Sequence, residues 1–156
     1  ALSEPGPWSM GITAFGEILP YHDNLIKLSD TVKDKWGMEA LVMSAEIKEN
    51  EQKMRVDMMS DAAEMLEVAG FKNVKTFDNG YTFGNGIHEM GTARMGRDPK
   101  TSVLNGNNQV WDAKNVFVTD GACMTSAAAQ NPSLTYMALT ARAAAFAVEE
   151  LKKQNL

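Results

Sequence analysis

Asn115-Val116-Phe117-Val118-Thr119-Asp120-Gly121, followed by Asn131-Pro132-Ser133-Leu134-Thr135-Tyr136-Met137-Ala138, is the stretch on which the fold turns. Residues 115–119 form a compact apolar run that stops at Asp-Gly, the pattern of a buried parallel strand running into a loop. Asn131 is a good N-cap and Pro132 suits the first helical position, so a helix is predicted from there to about Lys153. Leu134, Met137, Ala138, Ala141, Ala145, Val148 and Leu151 supply its apolar stripe, and Lys152 and Lys153 complement its negative end.

Upstream, Gly80, Gly84, Gly86, Gly91, Gly96 and Gly106 punctuate residues 78–106, a density that means turns and close backbone approaches. Before them, Met54, Met58, Ala62, Met65, Leu66 and Ala69 recur at spacings of three and four, so residues 50–69 read as a helix. Asn50 would cap it and Gly70 would end it. Its methionines are read as core filling rather than a cofactor groove, because flexible thioethers suit irregular gaps. Residues 24–28 and 41–47 read as strands, although Leu25, Leu28, Val32 and Trp36 also fit a helical period.

Composition removes several functions. The 156 residues suit one domain, and 44% hydrophobic with 22% charged residues rules out global disorder. Fifteen basic against twenty acidic residues leave a net charge of −5, with no basic stripe to neutralise nucleic-acid phosphates. No apolar run approaches the roughly 20 residues of a membrane span. Cys123 is the only cysteine and His22 and His88 the only histidines, so neither an intrachain disulfide nor a structural zinc site is expected. His88-Glu89 resembles the start of a zincin helix, but Thr92 stands where the second histidine belongs.

Four places could carry chemistry. His88 lies in Gly86-Ile87-His88-Glu89-Met90-Gly91-Thr92-Ala93-Arg94-Met95-Gly96, where short neighbours leave an imidazole open to a ligand. Imidazole is the side chain most often used as a general base toward an alcohol, and the plainer reading is a turn histidine satisfied by backbone. The helix N-terminus at Asn131 and Pro132 favours an anionic group, though it also reads as an ordinary cap. Asp120-Gly121, at the end of the expected parallel strand, lies where open α/β sheets bind ligands, and is also a common turn. Cys123 is read as a buried structural thiol, while Ser126 and Ser133 lack the Gly-x-Ser-x-Gly elbow of a hydrolase.

These pieces together resemble the C-terminal part of a glucose–methanol–choline oxidoreductase, a large family of FAD-dependent alcohol oxidases and dehydrogenases. The resemblance rests on residues 88–96, Ser102-Val103-Leu104, residues 115–121, and Gln130-Asn131-Pro132-Ser133-Leu134-Thr135. The lead-in from Ala14-Phe15-Gly16-Glu17 to Trp36-Gly37 is similar to the branch near gluconate 2-dehydrogenase flavoproteins. The resemblance implies that His88 takes the substrate hydroxyl proton while hydride passes to flavin N5, and that Asn131 hydrogen-bonds the substrate oxygen. It implies that Asp120 and Gly121 approach the ribityl and diphosphate of FAD. Asn131, Pro132, Ser133 and Leu134 would border the flavin, with the last three facing its N1 and O2. Ala122 departs from the serine common after Asp-Gly. No Gly-x-Gly-x-x-Gly fingerprint occurs, since Gly84-Asn85-Gly86 meets Glu89 at the third position.

The expectation is therefore one α+β unit over residues 1–156: a mainly antiparallel substrate-domain sheet with packed helices. A C-terminal strand and helix would complete the FAD domain of a parent protein. Beginning at Ala1 without an initiator methionine, the chain reads as the C-terminal fragment of a larger flavoenzyme, expected by itself to be inactive and not to retain FAD. Implied partners are the N-terminal FAD-binding part of the same polypeptide and a small polar alcohol or sugar-type substrate. A cytochrome or other electron-acceptor subunit is implied by analogy. The compartment, cytoplasmic or periplasmic, is left open. The competing class is a non-catalytic binding or interaction module on the same scaffold.

Overall fold

Asp34 makes the first tertiary feature. Its Oδ1 accepts from the N–H groups of Trp36 at 2.8 Å and Met38 at 3.0 Å, and Gly37 takes the left-handed φ of +84° that closes the turn. This computed structural model, which describes residues 4–80 and 82–156, thereby pairs strand β1 (Leu25–Lys33) with β2 (Glu39–Ser44) as an antiparallel hairpin. Ile26 faces Met43 and Leu28 faces Leu41, so these four share one apolar face. The register slips between Leu28 and Lys33, where Ser29 Oγ accepts from the N–H groups of Thr31 and Val32. That bulge interrupts the two-residue alternation, which is why the spacing there imitates a helix. Residues 45–47, expected in the second strand, lie outside it.

Helix α1 (Glu49–Val68) ends as expected: Gly70 has φ +90°, its N–H donates to Glu67 O, and Phe71 N–H donates to Leu66 O. Its start differs. Lys48, not Asn50, is the N-cap, and the Glu51 carboxylate reaches back to the Lys48 N–H at 3.1 Å, so the cap position is served from the third helical residue. Asn50 instead donates to Glu51 Oε1. Arg55 and Asp78 form an ion pair that ties the chain after α1 back to the helix. Met54, Met58 and Met59 are half-buried and line a 630 Å³ groove between residues 8–18, α1 and residues 71–79; they do not sit in a closed core.

Residues 91–125 form turns joined by short bridges: Met95 with Leu104, Leu104 with Val110, and Gln109 with Phe117. Residues 115–119 are therefore not a regular parallel strand. Val116 O and Val118 N–H are spent on Val110 N–H and Asn108 O, and the bridge at Phe117 is antiparallel. The core sits here, in Leu104, Cys123, Asn108 and Ala143.

Helix α2 (Ser133–Lys152) covers that core. Arg142 donates to the buried Asn108 Oδ1 at 2.9 Å, and Phe146 meets Phe117 edge-on at 6.3 Å. Pro132 is the N-cap and no side chain caps the helix, so Asn131 lies one residue outside it. The expected stripe also turns out differently: Leu134, Met137, Ala138, Ala141, Ala145, Val148 and Leu151 are exposed, while Tyr136, Leu139, Ala143, Phe146 and Ala147 face inward. The secondary structure is thus α+β with a two-stranded antiparallel sheet, and among the described residues neither helix packs broadly on that sheet. No described helix is long and apolar enough to cross a membrane.

Candidate active site

The segment carrying His88 lies along the Asp120 turn. N–H groups of Gly91, Ala93 and Met95 donate to the carbonyls of Gly121, Ala122 and Cys123 at 3.3, 2.9 and 2.9 Å. The acceptors are consecutive because residues 121–123 form one 3₁₀ turn, capped by Asp120 Oδ1, which accepts from Ala122 N–H at 2.9 Å. Two glycines make this approach possible. Gly91 has φ +89°, and a Cβ there would stand 3.2 Å from Thr125 O. A Cβ on Gly121 would stand 2.7 Å from Glu89 O.

His88 is half-buried at the edge of this ladder, between Ile87, whose φ is +56°, and Glu89, whose Oε1 accepts from Gly86 N–H at 3.2 Å. Among the described residues the imidazole makes no hydrogen bond. Asn131 is exposed, and no hydrogen bond joins it to His88. Pro132 is buried, whereas Ser133 and Leu134 are exposed. The first α2 turn has neither an acidic residue nor a capping side chain, so its leading N–H groups are left to an outside acceptor.

The structure thus joins the His88 segment to Asp120-Gly121 through backbone and sets α2 against both through Tyr136, whose hydroxyl donates to Met90 Sδ at 3.3 Å. Burial, then the charges of Asp120 and Glu89 and the Cys123 thiol, push the Tyr136 phenol up, so it stays a donor. Burial also pushes the Cys123 thiol up, against a hydrogen bond from Asn108, which fits a structural thiol and not a nucleophile.

Tyr136, Asn108 and Arg142 were not legible as site-building residues. Asn108 carries φ +64° and donates to Val118 O, while Arg142 also reaches Met95 Sδ at 3.5 Å. The turn signal Gly106-Asn107-Asn108 was the available clue to Asn108. A lone tyrosine or arginine inside an alanine-rich helix offers none.

The family model described as GMC oxidoreductase matches residues 20–140. The 2-methyl-1,2-propanediol dehydrogenase of Mycolicibacterium austroafricanum is 38% identical over 133 residues, covering 83% of this chain and 23% of that protein. The paromamine 6'-oxidase of Streptomyces fradiae is 35% identical over 126 residues, 80% of this chain and 23% of that protein. The gluconate 2-dehydrogenase flavoprotein of Pantoea cypripedii is 30% identical over 139 residues, 84% of this chain and 22% of that protein. The chain spans less than a quarter of the length of these relatives.

Proposed function

This chain belongs to the GMC oxidoreductase family, and from that premise we propose that it is the C-terminal, substrate- and flavin-contacting part of an FAD-dependent oxidoreductase. Its substrate would carry a CH–OH group, in an alcohol, a sugar or a sugar acid, classes that the names of the relatives suggest. The observation that carries the reading is the three-bond ladder that fixes the His88 segment against the Asp120 turn.

His88 is the base. An imidazole that makes no hydrogen bond among the described residues and is half-removed from water can take the hydroxyl proton as the C–H bond of the alcohol breaks. The exposed amide of Asn131 would orient the substrate oxygen. The donor set fits FAD: α2 presents an uncapped, acid-free N-terminus whose N–H groups and dipole suit the anionic edge of a reduced flavin. Pro132, Ser133 and Leu134 would border that edge, and Asp120 and Gly121 would approach the ribityl–diphosphate portion. FAD, when bound, supplies the acceptor for the hydride leaving the alcohol carbon.

The exposed stripe Leu134, Met137, Ala141 and Val148 supports a second half of the proposal, in which α2 completes the FAD domain and the β1–β2 hairpin joins a larger substrate-domain sheet. A helix apolar on several sides is built to be covered. A cytochrome or other electron-acceptor subunit belongs to the same proposal.

His88→Ala in the flavin-loaded enzyme assembled with its FAD-binding part tests the assignment. Stopped-flow reduction by an alcohol at neutral pH is expected to slow by roughly 10²- to 10⁴-fold, the usual worth of a positioned general base. An unchanged rate refutes the role of His88.

A further inference from the structure

Three groups converge where Gly121 lacks a side chain. A Cβ there would stand 2.7 Å from Glu89 O, 3.0 Å from Tyr136 Oη and 3.1 Å from Met90 Sδ. The space that glycine leaves is thus filled from within the chain. Tyr136 Oη occupies it and donates to Met90 Sδ at 3.3 Å. Glu89 and Met90 directly follow His88, so whatever fixes them fixes the backbone from which the imidazole projects.

The other side of His88 is under tension. Ile87 has φ +56°, a left-handed conformation that a β-branched side chain adopts only when its surroundings impose it. Ile87 is also exposed, so its own side chain contributes little to holding that conformation. Among the described residues Glu89 Oε1, which accepts from Gly86 N–H at 3.2 Å, brackets Ile87 from within the loop, and Tyr136 meets Met90 from α2 on its far side.

We propose that Tyr136 is a positioning residue for His88: its hydroxyl, seated over Gly121 and bonded to Met90 Sδ, anchors the His88 loop to α2. The catalytic consequence rests on His88 being the base of the site. The anchoring itself does not.

His22 and His88 are the only histidines, so the imidazole NMR signals of the 156-residue chain are assigned with one His22→Gln variant. Tyr136→Phe keeps the aromatic ring and removes the donor; Met90→Leu keeps the bulk and removes the acceptor. Each is expected to move the His88 signals and leave those of His22 in place, and the double variant is expected to add nothing to either single change. In the flavin-loaded enzyme, Tyr136→Phe is expected to lower kcat on the order of tenfold with KM unchanged, since displacing a reacting group by a fraction of an ångström costs rate rather than binding. His88 signals unmoved in both single variants, or shifts that sum in the double, overturn the anchoring. If the signals move as expected while His88→Ala reduces flavin normally, the anchoring stands and the assignment of the base falls.

Discussion

Glu51 is 2% exposed, and its carboxylate is surrounded by donors: Leu19 N–H and Tyr21 O–H at 3.2 Å, Asn50 Nδ2 at 3.3 Å, and Lys48 N–H at 3.1 Å. Burial alone would push its pKa up. The N–H groups of Leu19 and Lys48 and the Asn50 amide outweigh it, so the group sits below the usual carboxylate range. A folded-state pKa below the unfolded one gives stability that is complete above the unfolded value, about 4.3, and drains away as pH falls through the folded value. Glu51→Gln should therefore cost about 1–3 kcal/mol at pH 7, since a neutral amide cannot accept from all four donors. The gap between the two proteins in urea denaturation should narrow as pH drops below about 4.3. A gap that is the same at every pH would mean that the ionised carboxylate contributes nothing beyond its shape.

At the scale of elements, α2 is informative because it is apolar on two sides. Tyr136, Leu139, Ala143, Phe146 and Ala147 recur at helical spacing, and so do Leu134, Met137, Ala141, Val148 and Leu151. Periodicity read from sequence detects both stripes and cannot rank them. The ranking comes from partners remote in the chain, Asn108 for Arg142 and Phe117 for Phe146. Residues 115–119 were misread for a related reason: an apolar run states that it will be buried or paired, not with which neighbour. The end of α1 was legible because Gly70 marks a local backbone conformation that needs no tertiary information, whereas residues 24–28 fitted both a strand and a helical period and only their pairing with β2 decides between them. The His88 loop was legible in the same way, through its glycines, whereas Tyr136 takes its meaning from contact with Met90, 46 residues away. The face assignment predicts that Met137→Gln, at a position 67% exposed, changes the stability of the chain by less than about 0.5 kcal/mol. Ala143→Leu, against the buried core, should cost about 1–3 kcal/mol by overpacking. Denaturant midpoints in the opposite order would exchange the two faces.

The whole molecule exposes 12208 Å², whereas a compact monomer of 17.1 kDa presents about 7,800 Å². Much of the excess is apolar: Ile26, Leu28, Leu41 and Met43 on the hairpin, and the outer stripe of α2. Exposed apolar surface of that extent marks an interaction face, and on the proposed reading the rest of the flavoenzyme covers it. The same openness decides what the chain can do with FAD by itself. On the proposed reading its clearest recognition device is the N-terminus of α2, and a helix end contributes about 0.3–1 kcal/mol toward an anion in water. Micromolar binding needs about 8 kcal/mol. The glycine fingerprint that would grip the ADP half is not in these residues, so the deficit has no evident source within them. Purified chain incubated with FAD and dialysed is therefore expected to lose the flavin absorbance band, and to regain a stoichiometric one when co-expressed with the dinucleotide-binding part. Stoichiometric FAD on the dialysed chain alone would mean that its own loops hold the cofactor, and that α2 and residues 120–121 need no second half to form the site.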